Sequence, residues 1–374
     1  MNHRESLWFL NLTCFLAAIL SILFKFVIVE VTQILEEMDI SNVTVLIPAH
    51  NRPDRLRRLL TYYAKTTIKV LVSDSSSTVF PDADEFREVI YRHFPNMLFL
   101  EKINRVLPLI ETPYVVFCAD DDFIVPEAID KMTHFLNDNP DYMTAHGHYL
   151  TFTEERKGTL VFTPRYIRNF NFNIDAEKVH DRLVQYRTAY ASMLYSVCRT
   201  SLFKQMYQDV ISPNGAYAFQ NLYLAEEYYN IYTTIHGKHA VLPVFYAARE
   251  RIRGSAASIT IPLAQLLSSA EKNDEYQGFL GVLSRRLSVQ DGETEAEAKK
   301  YIHDFLYAKV SAPIGWKQKI INFVGRYSFL SFLTNFFDKR YATKGLKAVK
   351  GLGSYPCEFT TPEKEAIIRA IQSH

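Results

Sequence analysis

Three consecutive aspartates, Asp120 to Asp122, directly follow an apolar run at residues 114–119. A short, continuous apolar run predicts a buried strand, so the three carboxylates lie where a strand ends. Adjacent carboxylates repel one another at neutral pH and lose hydration beside a core, and a nearby cation relieves both costs. Carboxylate oxygens are ligands that Mg²⁺ and Mn²⁺ prefer. The alternative is an acidic turn that also caps the next helix, because aspartate is a good N-cap residue.

The elements that must position these aspartates are alternating strands and helices. We predict strands at residues 43–48, 68–72, 97–100 and 114–119, and helices at residues 53–64, 103–111 and 126–137. This alternation predicts an α/β fold with a doubly wound, mostly parallel sheet flanked by helices. Ligands of such sheets bind beyond the carboxyl ends of the strands. The three aspartates, Asp74 and the segment Ala49-His50-Asn51-Arg52 should therefore share one edge of the sheet.

The second half of the chain is less regular. We predict strands at residues 143–152, 159–162, 191–198 and 240–247, helices at residues 176–187 and 216–235, and a mainly helical region beyond residue 262. Glu226 and Glu227 fall inside the second of these helices, where neighbours point about 100° apart, so only one of them can face a site. Solvated surface acids are the alternative, although their apolar and aromatic neighbours favour a half-buried position for at least one.

Arginines follow the last predicted strand at alternate positions. Arg249, Arg251 and Arg253 would lie on one side of an extended segment. Guanidinium groups bind phosphate oxygens bidentately, which suits a diphosphate, and a solvated charge run is equally consistent. His146 and His148 also alternate along a predicted strand, where a structural or acceptor-lining role for one of them is favoured over metal binding.

Four motifs, taken in order, resemble the family-2 glycosyltransferases of the GT-A fold. The resemblance covers about residues 43–255, and its motifs are Val45-Leu46-Ile47-Pro48-Ala49-His50-Asn51-Arg52, Val72-Ser73-Asp74-Ser75, Ala119-Asp120-Asp121-Asp122 and Glu226-Glu227. The sequence departs from the family pattern in three places: Ser73 replaces an acidic residue, three consecutive aspartates replace Asp-x-Asp, and Glu-Glu replaces Glu-Asp. The last two departures keep the charge but leave the division of roles within each motif open.

The resemblance implies a nucleotide-sugar donor, a divalent cation (Mn²⁺ or Mg²⁺) and transfer to an acceptor hydroxyl with inversion. For donor binding it implies Pro48, Ala49, His50, Asn51, Arg52, Asp74, Asp120, Asp121 and Arg251. It implies Asp122 as the direct metal ligand together with Asp120, and Glu227 as the catalytic base with Glu226 as a near-equal candidate. The alternative for Asp74 is a simple turn acid, and Asn51 could also cap the following helix.

Composition and charge favour an ordinary globular protein. The 374 residues carry a formal net charge of +1, which gives no sign of a nucleic-acid partner. The four cysteines lack the spacing of a disulfide framework or a zinc site, so a reducing compartment is favoured. We expect a cytoplasmic protein, either free or attached to the cytoplasmic face of a membrane. We expect three regions: an apolar N-terminal segment at residues 1–38, a GT-A domain at 39–260 and a helical region at 261–374.

Two segments bear on membrane contact. Residues 7–24 are uncharged and mostly apolar, and three interpretations stay open: a signal-anchor helix, a helix in the membrane interface, or a translated extension upstream of Met38. Residues 315–340 combine basic and aromatic side chains, which suits a helix lying on a membrane surface or one packed on its own domain.

Other functions fit the sequence less well. A sugar nucleotidyltransferase normally has a glycine-rich phosphate loop after the first strand, and residues 48–58 contain no glycine. A processive membrane synthase would need a cluster of membrane spans and a Gln-x-x-Arg-Trp motif, and the chain has neither. A non-catalytic relative that binds glycans or nucleotides would not need the aspartate triplet and the glutamate pair. The acceptor, whether a glycan, a lipid-linked molecule or a protein, is not specified.

Overall fold

The computed structural model describes residues 40–155, 159–165, 172–188, 193–251, 263–268, 273–311 and 361–372. Residues from Ile40 onward belong to one compact unit. Within these described ranges, no helix is both long enough and apolar enough to cross a membrane. The apolar segment at residues 7–24, Arg253 and the basic aromatic segment at 315–340 lie outside the described residues, so what we expect of them stays a prediction.

The strands and helices follow one another in the alternating order expected of an α/β protein. In chain order they are β1 (Val43–Ile47), α1 (Pro53–Tyr63), β2 (Lys69–Asp74), β3 (Ile90–His93), α2 (Phe99–Val106), β4 (Tyr114–Phe117), β5 (Phe123–Ile124), α3 (Pro126–Asp138), β6 (Tyr142–Glu155), β7 (Thr159–Pro164), α4 (Val179–Thr188), β8 (Val197–Arg199), α5 (Thr200–Asp209), α6 (Leu222–His236), β9 (Lys238–Glu250), α7 (Leu263–Ser268), α8 (Asp274–Asp291), α9 (Glu295–Ser311) and α10 (Thr361–Gln372).

All the described strands join one sheet. Its order is β3-β2-β1-β4-β8-β6-β9-β5, with β7 paired to β6. The first four strands in this order are parallel neighbours. β8 is antiparallel to both β4 and β6, while β9 runs parallel to β6 and antiparallel to β5. The predicted α/β fold is confirmed, and its parallel pairs lie mainly in the N-terminal half of the sheet.

Local sequence explains the elements that lead to the site. β1 reads Val-Thr-Val-Leu-Ile and is buried throughout, as expected for a parallel strand covered on both faces. α1 begins at Pro53, where the missing proline N–H would have had no partner in the helix. Because β1, β2 and β4 are parallel, the polar residues that follow them meet at one edge of the sheet.

The strand predicted at residues 97–100 is wrong. That stretch enters α2, which buries Leu100, Ile103 and Val106 at three-residue intervals typical of a helix face. The third strand is β3 instead, which lies at the edge of the sheet and alternates exposed with half-buried residues. No continuous apolar run marks such a strand, so a search for buried runs misses it.

Two hydrophobic clusters cover the two faces of the sheet. Alternate residues of β1 point to opposite faces, so Val45 joins one cluster and Leu46 the other. The C-terminal helices complete both: α10 contributes to the cluster that contains Val45, and α8 and α9 contribute to the cluster that contains Leu46. α8 approaches the chain before α6 so closely that a Cβ on Gly278 would collide with the backbone carbonyl of Ala218.

Candidate functional site

The three aspartates lie in a tight turn between β4 and β5. The backbone N–H of Asp122 donates to the carbonyl of Ala119 at 3.0 Å, which closes the turn. Asp120, Asp121 and Asp122 are all buried, with no more than 8% of any residue exposed. The apolar strands on either side fix the turn to the sheet, so three carboxylates are held in a largely dehydrated position.

The segment after β1 is bonded directly to this turn. Arg52 Nη1 donates to Asp120 Oδ1 at 3.2 Å and to Asp121 Oδ2 at 2.7 Å. The backbone N–H of His50 donates to Asp120 Oδ2 at 3.2 Å. Two segments that are 70 residues apart in the sequence are therefore brought together, as their shared position at the sheet edge predicts.

Asp122 is bonded to the end of β9. Arg249 Nε donates to Asp122 Oδ2 at 3.0 Å, and the backbone N–H of Glu250 donates to Asp122 Oδ1 at 2.9 Å. The Arg249 guanidinium lies 4.2 Å from the ring centroid of Tyr195 and donates to its hydroxyl at 3.2 Å. Arg251, which the resemblance implies for donor binding, is exposed at the end of β9, and its backbone N–H donates to Phe152.

A second group of ion pairs fastens β9 to α1. Glu250 accepts two hydrogen bonds from Arg55, at 3.1 and 3.0 Å, and one from Arg58 at 2.6 Å. Arg58 also donates to the backbone carbonyl of Asp121 at 3.3 Å. These contacts fix the position of Arg249 relative to the aspartate turn.

The arginines balance the aspartates only in part. Burial raises the pKa of Asp120 to about 6 and that of Asp122 to about 7, although Arg52 and Arg249 act in the opposite direction. Each carboxylate oxygen that accepts a hydrogen bond still has a second lone pair. Carboxylate oxygens with a remaining lone pair suit a divalent cation such as Mn²⁺ or Mg²⁺, so Asp120 and Asp122 fit the metal that the resemblance implies.

A cavity of about 230 Å³ opens beside the turn and beside Asp74. Asp74 Oδ1 accepts from the backbone N–H and the hydroxyl of Ser76 at 2.8 and 2.5 Å, and its Oδ2 accepts from the Tyr91 hydroxyl at 2.6 Å. The side chains and backbone that line this cavity are Ala49, Asn51, Arg52, Pro53, Leu56, Asp74, Ser76, Thr78, Val79, Phe80 and Pro81. Apolar side chains and one oriented carboxylate therefore face the same cavity.

Ala49 and Asn51, from the segment that follows β1, form one wall of this cavity. Asn51 has a positive φ of 52° and accepts a hydrogen bond from the Ser77 N–H at 3.1 Å, so its side chain does not cap α1. The His50 ring nitrogen Nδ1 lies 3.1 Å from the Ser75 carbonyl oxygen. Pro48 ends β1, and Ala49 is buried, with its N–H donating to Ser73 at 3.1 Å.

Sequence reasoning missed a lysine beneath this wall. Lys102 Nζ donates to the Ala49 carbonyl at 2.6 Å and to Ser75 Oγ at 3.1 Å. Burial lowers the pKa of Lys102 to about 8, and the charges of Asp120 and Asp74 oppose that change. Lys102 lies on a short amphipathic helix, where a lysine predicts an exposed face, so no signal in the sequence identifies it. Sequence reasoning also did not identify Tyr91 and Tyr195.

Glu226 and Glu227 have different surroundings on α6. Glu227 is 3% exposed and accepts hydrogen bonds from the Tyr186 hydroxyl at 2.9 Å and from Lys309 Nζ at 2.5 Å. Glu226 is half-buried. Burial is the main reason that the pKa of Tyr195 is raised, and the charges of Asp122, Asp121 and Glu226 raise it further.

The alternating histidines of β6 lie in the core. His146 and His148 are 2% and 1% exposed, and the His146 ring lies 4.7 Å from the ring of His239 on β9. Burial lowers the pKa of His146 to about 4, and it also lowers the pKa of His239. These positions agree with a structural role.

Residues 44–206 match the sequence model of the Glycosyl transferase family 2. Among solved structures the chain is similar to S. aureus TarS 1-349, with 16% identity, a TM-score of 0.45, and coverage of 76% of this chain and 79% of that chain. The complex of TarS 1-349 with UDP-GlcNAc is 15% identical, with a TM-score of 0.42 and coverage of 76% of this chain and 80% of that chain. The complex of TarS 1-349 with UDP is 15% identical, with a TM-score of 0.41 and coverage of 76% of this chain and 79% of that chain. No curated protein matches the chain.

Proposed function

We propose that the chain, whose residues 44–206 match the Glycosyl transferase family 2, is a glycosyltransferase that moves a sugar from a nucleotide-diphosphate-sugar donor to an acceptor hydroxyl. The observation that carries this proposal is the bonding of His50 and Arg52 to the buried Asp120. These contacts join the wall of the Asp74 cavity to the aspartate turn, so that a nucleoside site and a diphosphate site are continuous.

The nucleoside occupies the cavity beside Asp74. The Asp74 carboxylate is fixed by Ser76 and Tyr91: Oδ1 accepts two hydrogen bonds from Ser76, whereas Oδ2 accepts one from Tyr91 and keeps a lone pair that can accept a hydrogen bond from an N–H of the base. Phe80 and Leu56 supply apolar surface for the base and ribose. Arg52, at the inner end of the cavity, lies between this site and the aspartates, where it can also contact a phosphate oxygen.

Asp122 and Asp120 would hold the divalent cation. Such an ion offsets the negative charge that develops on the nucleoside diphosphate as it leaves. Arg249 and Arg52 hold the two carboxylates in place, and the guanidinium of Arg249 adds positive charge at the same edge. The exposed Arg251 lies two residues farther along β9, where it can reach the same diphosphate.

We infer that Glu226 is the base. The family pattern matches Glu227 to this role, but the Glu227 carboxylate is buried and accepts hydrogen bonds from Tyr186 and Lys309. Glu226 is more accessible, and its charge acts on Tyr195 beside the aspartate turn. It would take the proton of the acceptor hydroxyl while the oxygen attacks the anomeric carbon, and a single displacement of this kind inverts that centre.

We further propose that the reaction takes place in the cytoplasm or at the cytoplasmic face of a membrane, with a glycan, a lipid-linked molecule or a protein as acceptor. Cys118 and Cys198 are buried free thiols, which agrees with a reducing compartment. Membrane contact depends on segments outside the described residues. Polysaccharide biosynthesis is the process in which we expect such a transfer to occur.

The test is a panel of nucleotide sugars offered to the purified protein with Mn²⁺. We expect one donor to raise the melting temperature and to be slowly hydrolysed, and Asp74→Asn to weaken binding of the matching nucleoside diphosphate by about tenfold, equivalent to the loss of one hydrogen bond to a charged group. Stabilisation by a nucleoside triphosphate with a sugar 1-phosphate, and by no nucleotide sugar, would favour a nucleotidyltransferase instead.

A further inference from the structure

We propose that His180, Asp291 and Glu293 form a second metal site, which takes a divalent transition-metal ion, with Zn²⁺ as the best fit. The site lies between α4 and the turn that joins α8 to α9. It shares no residue with the donor site and does not depend on the chemistry proposed there.

The three side chains converge with the spacing of metal ligands. His180 Nε2 lies 3.0 Å from Asp291 Oδ2 and 3.7 Å from Glu293 Oε1. All three atoms lie within 4.8 Å of one another, and this is the one such group of three or more His, Cys, Asp or Glu side chains in the described part of the chain. Ligands about 2.0–2.1 Å from a tetrahedral zinc lie roughly 3.3 Å from each other. The two distances from His180 bracket that value, so small side-chain rotations would complete the site.

The fold holds each ligand on a rigid support. His180 lies in the first turn of α4, and its ring packs edge-on against Tyr301 of α9 with the centroids 4.1 Å apart. Asp291 ends α8, and Gly292 follows with a φ of 78°, a left-handed conformation that favours glycine and turns the chain toward α9. Glu293 therefore comes back toward His180 from the other side of the turn.

Negative charge exceeds positive charge at this position. Glu293 Oε1 is shielded from solvent and has no hydrogen-bond partner among the described residues. A divalent ion at this position would be held by both carboxylates and the imidazole, and it would use the Glu293 oxygen that has no hydrogen-bond partner.

The ligand types separate this site from the donor site. Asp120 and Asp122 offer only oxygen, which suits Mg²⁺ and Mn²⁺, whereas an imidazole nitrogen with two carboxylates suits zinc. The alternative is a simple ion pair between a protonated His180 and Asp291. A bound ion would fasten the α8–α9 turn to α4, so that occupancy would stabilise the attachment of the C-terminal helices.

The experiment uses the full chain without a histidine tag, carrying Asp122→Asn to remove metal binding at the donor site. After EDTA treatment, we expect this protein to bind one equivalent of Zn²⁺, measured by elemental analysis, and its melting temperature to rise by about 4 °C at saturating zinc. Adding His180→Gln should abolish both effects. Adding Glu293→Gln, which keeps the size of the side chain, should weaken binding at least about tenfold.

The matched control is His134→Gln. His134 also lies beside an aspartate, with Nδ1 3.4 Å from Asp130 Oδ1, but it belongs to no group of three candidate metal ligands in the described part of the chain. This variant should bind zinc like its parent. Equal zinc binding by the His180→Gln and His134→Gln proteins would overturn the proposal. So would a parent protein that binds no zinc, or one that Mg²⁺ stabilises as strongly as Zn²⁺ does.

Discussion

Lys309 donates a hydrogen bond to Glu227 at 2.5 Å, although 82 positions separate the two residues in the sequence. Both residues lie beyond residues 44–206, which match the family model: Lys309 lies in α9, and Glu227 lies in α6 next to the proposed base. The Tyr186 hydroxyl from α4 completes the surroundings of the Glu227 carboxylate at 2.9 Å. The C-terminal helices therefore fix the helix that carries Glu226.

Replacing each glutamate of the pair should separate catalysis from folding. We expect Glu226→Gln to lower kcat by about 10²–10⁴-fold with donor affinity unchanged, because a general base contributes about that much. Glu227→Gln should instead lower the melting temperature, because it removes a largely buried ion pair with Lys309. Steady-state kinetics and thermal denaturation of both proteins check this. If Glu227→Gln loses transfer while it keeps its melting temperature, Glu227 is the base.

Removing the cation of this ion pair should destabilise the protein strongly. Lys309→Ala leaves a Glu227 that is 3% exposed without its charged partner, and we expect a loss of about 3–5 kcal/mol in the free energy of unfolding. Lys300→Ala is the matched control in the same helix, because the Lys300–Asp304 pair is 78% and 57% exposed and should contribute less than about 1 kcal/mol. Urea denaturation measures both, and equal losses would contradict the structural role of Lys309.

Binding of Mn²⁺ at the donor site should weaken as the pH falls. The pKa of Asp120 is about 6 and that of Asp122 about 7, so both carboxyls take up protons as the pH falls through these values, and a bound ion must displace those protons. Below its pKa, each carboxyl should lower the apparent affinity by up to about tenfold per pH unit. Calorimetric titrations at about pH 7.5, 6.5 and 5.5 check this. An affinity for Mn²⁺ that does not change with pH would count against these two ligands.

The buried His146 should make stability depend on pH in the acid range. Burial lowers the pKa of His146 from 6.5 to about 4. Its contribution to the free energy of unfolding is therefore complete above pH 6.5 and is lost as the pH falls toward 4. The loss is about 1.4 kcal/mol per pH unit in that window. Asp120 and Asp122 act in the opposite sense, because raised carboxyl pKa values favour the folded state at low pH.

Comparing His146→Phe with the parent protein removes the contribution of Asp120 and Asp122 to the pH dependence, because both proteins contain these aspartates. The free energy of unfolding of His146→Phe should fall less steeply than that of the parent between about pH 6.5 and pH 5, by the amount that one histidine contributes. His134→Gln is the control, because His134 is 69% exposed and should leave the slope unchanged. Parallel slopes for the parent and His146→Phe would show that His146 does not titrate as its burial requires.

The first half of the fold was predictable because local signals and topology agree there. Continuous apolar runs mark β1, β2 and β4, Pro53 marks the start of α1, and parallel strands place the residues that follow them at one edge. This reasoning brought Asp74, Arg52 and the aspartates together before any distance was known. The search for continuous apolar runs did not find β3, because this edge strand has no such run.

The rest of the site depends on contacts between distant segments. Nothing near Arg249 in the sequence shows that it bonds to Asp122, 127 positions away, rather than to solvent. The sequence limits the base to Glu226 or Glu227 but cannot choose between them, because the choice depends on Lys309 and Tyr186. Lys102 was missed because a lysine on a short helix normally faces water.

The close approach of Gly278 to Ala218 also decides where the chain can be shortened. Phe279, the next residue of α8, packs against Phe219 and Tyr228, with ring centroids 5.6 and 6.4 Å apart. A protein truncated at residue 260 would expose these aromatic rings on α6 and just before it, in the same segment that carries the glutamate pair. Such a fragment would tend to aggregate, so expression of the catalytic half alone is a poor route to an active enzyme.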